Sequence, residues 1–286
     1  MVRDVVIVSA CRTPIGAFGG SLKSVQAPHL GAHVMKEAIK RAGIEAKILG
    51  DVRFGCCLEP VDALNVTRVA ALLAGIPNTV PAVTVNRVCI SAMEATLSGV
   101  WAIQSGFIDS ALTGGMESMS NVPYVVEEAR WGCRLQDTTF KDALIHGLHA
   151  GSHFLPYPQD GAVEWARGKP YIMGLTAEFL ALKYNLTREE QDIVALKSHN
   201  GAEKANTDGS FKDEIAPVII KDRKKGDIVI DKDEHFRKGL TMEQLAALPP
   251  AFIPKKGTVT AGNSSGINDG AAAMVIMAEE KAKELG

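Results

Sequence analysis

The chain has 286 residues, 46% of them hydrophobic, enough for one large core or two modest ones. With 31 Lys and Arg against 33 Asp and Glu, its formal net charge of −2 gives no general attraction to nucleic acid or to an anionic membrane. An acidic ligand must therefore be held by local charge, and no apolar run approaches membrane-spanning length.

Residues 5–9 form a nearly continuous β-branched run, expected of a strand covered on both faces. A loop rich in Gly and polar residues follows at 12–21. Leu30, Val34, Ala38, Ile39 and Ala42 then recur at helical spacing and stop at Gly43, which fits a glycine closing a helix. A strand is predicted near 51–56. Asn65 can cap a helix with Val66, Val69, Ala70 and Leu73 on one face, ended by Gly75 and Ile76-Pro77. A strand at 82–85 delivers Asn86-Arg87-Val88-Cys89 to a small-residue, almost wholly apolar helix at 91–104, read as a core helix. Another strand is expected at 108–113. The alternation of strands and helices predicts a largely parallel α/β sheet sandwiched by helices.

From about Asn121 the pattern becomes irregular. His146, His149 and His153 have a spacing that three metal ligands could use, but Gly147 and Gly151 weaken any helix that would align them, so a mobile loop and no metal site is the expectation. A helix is predicted at 175–184. Thr187-Arg-Glu-Glu190 reads as a capping box opening a second one that runs to about Asn206. The runs 215–220 and 228–230 bracket a hairpin. Glycine, serine and asparagine then crowd 257–270, a backbone that a ligand can approach closely. A strand at 271–277 and a helix from 279 follow. The residues before the first strand hold no apolar signal core and no Arg/Ser-rich stretch, so no secretory or organellar leader is expected. Five cysteines without metal-type spacing point to reduced thiols and a cytoplasmic setting, and the adjacent Cys56-Cys57 pair reads as strand packing.

Cys89 is the candidate nucleophile. At a buried helix N-terminus, unpaired N–H groups and the helix dipole favour thiolate over thiol. Its setting, Asn86-x-x-Cys89-x-Ser91-Ala92, is followed by Gly114-Gly115-Met116-Glu117-Ser118-Met119-Ser120 and by the run from Gly257 to Ala273, Gly-Thr-Val-Thr-Ala-Gly-Asn-Ser-Ser-Gly-Ile-Asn-Asp-Gly-Ala-Ala-Ala. These motifs, with the opening Val5-Val6-Ile7-Val8-Ser9-Ala10-Cys11-Arg12-Thr13-Pro14-Ile15-Gly16, resemble the thiolases, on their acetyl-CoA acetyltransferase side. The resemblance implies a layered α-β-α half with an inserted α+β loop domain, here expected as residues 1–121, 122–247 and 248–286. It implies acyl transfer through a Cys89 thioester and a place in fatty acid metabolism. Coenzyme A and acetyl-CoA would be substrates, with no tightly bound cofactor. It also implies that Met173, Arg237, Ala261 and Ser265 contact coenzyme A, that the Cys89 backbone N–H is an oxyanion donor, and that the protein is a homodimer or homotetramer. The small-residue face of the helix at 91–104 and the strand near Ala111 are expected to be buried against another domain or subunit.

Three features depart from the family pattern. Ile172 stands where thiolases often carry a histidine before Met-Gly-x-Thr-Ala-Glu, Ala92 replaces a glycine beside the nucleophile, and 151–169 is extra sequence. Thiolases also continue into a second half carrying a Gly-His-Pro histidine and an acid/base cysteine, and neither motif is among these residues. Cys89 cannot serve as base while acylated. The expectation is therefore a chain that acylates Cys89 but needs the missing half, or a complementary chain, for condensation. Two other readings are a thiolase-like subunit that binds acyl-CoA without turnover, and a serine hydrolase built on Gly262-Asn-Ser264-Ser-Gly266. The hydrolase reading is undercut because 267–270 reads as loop and no histidine follows Ser264.

Overall fold

A computed structural model describes residues 2–149, 172–224 and 226–286. His153 and the whole of the 151–169 insertion lie outside them. The chain divides into two compact units. The first comprises Met1–Asn121, Gly209–His235 and Ile267–Gly286, and the second Val122–Asp208 and Phe236–Gly266. The segment 209–235 thus belongs with the first unit and 248–266 with the second, where the sequence groups them the other way.

In the first unit the chain runs β1 (Val5–Arg12), β2 (Gly16–Ala17), α1 (Ala27–Ala42), β3 (Asp51–Gly55), α2 (Val66–Leu73), β4 (Ala82–Val85), α3 (Ser91–Gln104) and β5 (Ser110–Ser118). In the second unit come β6 (Tyr124–Val125), β7 (Lys141–Asp142), α4 (Ala143–Leu148), α5 (Met173–Tyr184) and α6 (Arg188–Asp208). The hairpin β8 (Val218–Asp222) and β9 (Gly226–Ile230) returns to the first unit, α7 (Met242–Ala246) belongs to the second, and β10 (Asn268–Ala278) with α8 (Glu279–Leu285) closes the first.

The main sheet is ordered β1-β10-β5-β3-β4, with β2 pairing β10. Four strands of that order, β1, β5, β3 and β4, run in one direction, as the largely parallel reading expects, and β10 alone runs antiparallel, between β1 and β5. The reason is topological. β10 enters between β1 and β5 after a long excursion and not through a right-handed βαβ crossover, so it is free to run antiparallel.

Local chemistry sets the helix ends. Gly43 closes α1 at φ 66°, and the Asn65 side chain accepts from the Arg68 N–H at 3.0 Å to cap α2. The dominant core lies on the α1 and α2 side, around Leu30, Val34, Met35, Val52, Phe54, Val66 and Leu112. The α3 side holds a smaller cluster of Ile103, Ala111, Ile276 and Ala278. Helix α3 is accordingly not wholly a core helix. It buries Ser91, Ala95, Gly99 and Ile103 but leaves Met93, Leu97 and Trp101 exposed, because these point away from the sheet. Ile7 of β1 is exposed as well, so that strand is not covered on both faces among the described residues.

The excursion 209–235 is tied to β1 by charge. Arg12 donates to both oxygens of Asp233 at 2.7 and 3.0 Å and to Glu214 at 2.8 Å, with its guanidinium over the Phe211 ring. In the second unit, Thr187 and Glu190 form the expected reciprocal cap of α6. A second capping box, Thr241 with Gln244, opens the short α7, which the sequence reading omits. Residues 143–148 are helical in spite of Gly147, so His146 lies on a short helix where a loop is expected. No helix among the described residues is long and apolar enough to cross a membrane.

Candidate active site

Strand β4 and helix α3 are joined by a turn whose conformation is held at several points. The Asn86 side chain accepts from the Val88 N–H at 3.0 Å and donates to the Cys57 carbonyl at 3.0 Å. Val88 adopts the left-handed conformation at φ 51°, which is unusual for a β-branched residue and costs on the order of 1–3 kcal/mol. Ser91 offsets that strain: its hydroxyl accepts from the Arg87 N–H at 2.8 Å and donates to the Val88 carbonyl at 2.5 Å. Cys89 follows directly. It is exposed and precedes Ile90, the residue that caps α3 without a side-chain hydrogen bond. The buried helix-terminal cysteine expected from the sequence is thus an exposed thiol on the approach to the helix, because the left-handed step at Val88 places residue 89 ahead of the first helical turn.

The turn sits on glycine. A Cβ on Gly55 would stand 2.4 Å from the Ala92 nitrogen and the Ser91 carbonyl carbon, and one on Gly115 would stand 2.7 Å from the Ala92 Cβ. These two positions let the first turn of α3 rest on the backbone of β3 and β5. Around Cys89 is a pocket of about 250 Å³, lined also by Cys57, Val88, Ser91, Glu117 and Ala272. Ala92, read as added bulk beside the nucleophile, is in that lining.

Glu117 organises the pocket's far side. Its carboxylate accepts from the Cys57 N–H at 2.8 Å and the Leu58 N–H at 3.1 Å, and from the Cys56 thiol at 3.6 Å. Cys56 is buried, and burial together with Glu117 pushes its thiol strongly up. Cys57 differs. Its sulfur lies 2.7 Å from the Val88 carbonyl and 3.7 Å from the Ser91 hydroxyl, facing the nucleophile's turn and not the core. Burial first, then Glu117, raises its thiol to about 11, opposed by the Ser91 hydroxyl. Both cysteines lie past the end of β3: Cys56 packs into the core, as the sequence reading expects, and Cys57 does not.

The other four candidates belong to the second unit. Arg237 donates through its guanidinium to the Ala261 carbonyl at 3.2 Å, so these two are brought together. The Ser265 hydroxyl donates to the neighbouring Gly266 carbonyl at 3.2 Å and is otherwise exposed. Met173 is the first residue of α5 and about half exposed. Two residues missed at the level of sequence hold this region. Buried Glu178 accepts from the Thr258 N–H at 2.9 Å, the Thr258 hydroxyl at 3.0 Å and the Val259 N–H at 3.0 Å. His199 accepts at Nδ1 from the Arg237 N–H at 3.1 Å. That fixes the proton on Nε2, 3.3 Å from the Gly262 carbonyl. Glu178 ends the Met-Gly-x-Thr-Ala-Glu run but was given no role there, and His199, in the middle of a helix, carries no motif.

The family model for the thiolase N-terminal domain matches residues 5–280. The chain belongs to the thiolase family. It is 48% identical to an acetyl-CoA acetyltransferase of Syntrophomonas wolfei over 286 residues, spanning all of this chain and 68% of that protein. It is 43% identical to the beta-ketothiolase BktB of Cupriavidus necator, over a similar span. The crystal structure of the Bacillus anthracis acetyl-CoA acetyltransferase superposes with a TM-score of 0.88 at 44% identity, covering 99% of this chain and 67% of that one. The chain thus spans about two thirds of the relatives it matches. The thiolase fold also disposes of the serine-hydrolase reading on geometry. Gly262 to Gly266 is followed by strand β10 from Asn268, where the sequence suggests a loop, whereas a nucleophile elbow runs from strand into helix. Among the described residues no group of three or more His, Cys, Asp or Glu could hold a metal ion.

Proposed function

We propose that this thiolase chain carries the acyl-accepting part of an acetyl-CoA acetyltransferase, with Cys89 as the nucleophile. The observation that carries the proposal is the exposed Cys89 thiol on a turn fixed by Asn86 and Ser91, at the mouth of a pocket of about 250 Å³. The Cys89 sulfur attacks the thioester carbonyl of an acyl-CoA. A carbon–sulfur bond forms, the bond to the coenzyme A sulfur breaks, and the coenzyme leaves as a thiol after taking up the proton. Backbone N–H groups at the turn, that of Cys89 first, are the proposed oxyanion donors, since a preorganised amide needs no reorganisation as charge develops.

Arg237, Ala261, Ser265 and Met173 are the proposed coenzyme A contacts. The reading is supported by the fixed link between the Arg237 guanidinium and the Ala261 carbonyl. Ile172 offers apolar contact where a histidine would hydrogen-bond. Condensation requires a base for the acetyl carbon proton, and acylated Cys89 cannot be it, so that step is assigned to groups other than these. Self-association is proposed on the exposed Met93, Leu97 and Trp101 of α3, and light scattering on the complete protein checks it. A cytoplasmic location fits five free cysteines.

Incubation with acetyl-CoA followed by peptide mass mapping tests the central step. An acetyl increment on the Cys89 peptide, absent from Cys89→Ser, is the expected result. Acetylation elsewhere, or none with an intact fold and demonstrable coenzyme A binding, would favour the binding-only subunit.

A further inference from the structure

We propose that Cys57 and Cys89 together form a dithiol modification site, which an organic or hydrogen peroxide closes into an intramolecular disulfide. The proposal does not depend on the acyl-transfer reading, since it needs only the two thiols and the turn between them.

The geometry is specific to this pair. The Cys57 sulfur touches the residues on either side of Cys89, at 2.7 Å from the Val88 carbonyl oxygen and 3.7 Å from the Ser91 hydroxyl. Because that carbonyl belongs to the peptide bond leading into Cys89, the Cys57 sulfur lies within roughly 5 Å of the Cys89 nitrogen. Both cysteines line the same pocket. The backbone of Cys57 is held on both sides, by the Glu117 carboxylate on its N–H and the Asn86 amide on its carbonyl. For the sulfurs to meet, Cys57 gives up its contact to Val88. Cys56 is excluded as partner, since it is fully buried and directed to Glu117.

The order of events follows from exposure. Cys89 is exposed, whereas Cys57 is half-buried and its thiol is held neutral by burial and by Glu117. The Cys89 thiolate therefore attacks the peroxide first: a sulfur–oxygen bond forms, the oxygen–oxygen bond breaks, and the leaving alkoxide or hydroxide takes a proton, giving a sulfenic acid. The Cys57 sulfur then attacks the Cys89 sulfur. The sulfur–sulfur bond forms, the sulfur–oxygen bond breaks, and hydroxide leaves with the Cys57 proton as water. The two sulfurs lose two electrons in total, and the peroxide gains them. Proximity makes the second step intramolecular, so it precedes further oxidation of Cys89. The disulfide would be reversible by a dithiol reductant, whereas sulfinic acid would not.

The test treats the 286-residue chain with hydrogen peroxide in the presence of dimedone, blocks free thiols, and maps peptides without reduction. Wild type and Cys56→Ser should both yield a peptide pair linked through Cys57 and Cys89, lost on dithiothreitol treatment, with little dimedone adduct. Cys57→Ser and Cys57→Ala should lose the link, and both dimedone adduct and sulfinic acid at Cys89 should rise several-fold. Circular dichroism of each variant establishes that it is folded. Linkage of Cys89 to Cys56 or Cys133 would overturn the assignment, as would a dimedone yield at Cys89 unchanged by either Cys57 variant. Because the readout is oxidative, its failure leaves acetyl labelling of Cys89 unaffected, and the converse also holds.

Discussion

Gly55→Ala probes how the nucleophile is held. The added Cβ would stand 2.4 Å from two backbone atoms of α3, the Ala92 nitrogen and the Ser91 carbonyl carbon, and 2.7 Å from the Ser91 Cβ. Ordinary van der Waals contact begins near 3.4 Å, so the first turn of α3 must retreat by about 1 Å or β3 must bend. Neither backbone is a flexible side-chain end that could swing aside. Overpacking of this kind costs about 1–3 kcal/mol. The retreat also drags Ser91, whose hydroxyl holds both Arg87 and Val88, and so displaces Cys89. A misplacement of about 1 Å at a reacting group can cost on the order of a hundredfold in rate. Gly201→Ala is the control. Nothing lies within 4 Å of its Cβ position in α6, so replacing a mid-helix glycine should stabilise by about 0.5–1 kcal/mol without touching Cys89. Urea denaturation gives the stabilities, and the rate of Cys89 acetylation by mass spectrometry gives the second readout. If Gly55→Ala kept its denaturation midpoint and acetylated within twofold of wild type, the account of α3 resting on bare backbone would be wrong.

Glu178→Gln replaces a carboxylate that accepts three hydrogen bonds with an amide whose NH2 faces donors. It should cost about 1–3 kcal/mol and raise amide exchange at Thr258 and Val259, as read by hydrogen exchange mass spectrometry. Buried Cys11, whose thiol is raised from 9.0 to about 11 by desolvation first, binds its proton more tightly folded than unfolded. Its contribution is therefore complete below about pH 9 and lost as pH rises towards 11, so Cys11→Ala should flatten that part of the stability profile. His199→Asn keeps an acceptor for the Arg237 N–H, while His199→Gln keeps only a donor towards Gly262. Coenzyme A affinity by calorimetry should fall less in the Asn variant, and equal losses would mean that the Nδ1 contact does not position Arg237.

The parts legible in the sequence are those written in adjacent residues. Gly43 at the end of α1, Asn65 at the head of α2 and Thr187 with Glu190 at the head of α6 are local chemistry. A cap is completed by residues three or four positions away, so no distant partner can alter it. The turn of the 86–92 motif is local in the same way, closed by its own Asn86 and Ser91. The family resemblance was carried by four such runs.

Other features needed residues far apart in the chain. The direction of β10 was hidden because antiparallel and parallel strands read alike along one chain, and only the pairing of Ala273 with both Cys11 and Gly114 separates them. Glu178, with partners eighty residues on, and Glu117, with partners sixty residues back, carry charges that periodicity marks merely as polar. Cys57 was indistinguishable from Cys56 until folding buried the one and turned the other towards Val88. By itself the sequence determined the longer helices, the caps of α1, α2 and α6 and the turn that carries Cys89, since short-range hydrogen bonding and side-chain period specify them. Tertiary structure alone decided which carboxylates hold the loops and that Cys57 shares a pocket with Cys89, because burial and pairing are properties of residues that meet only when the chain has folded.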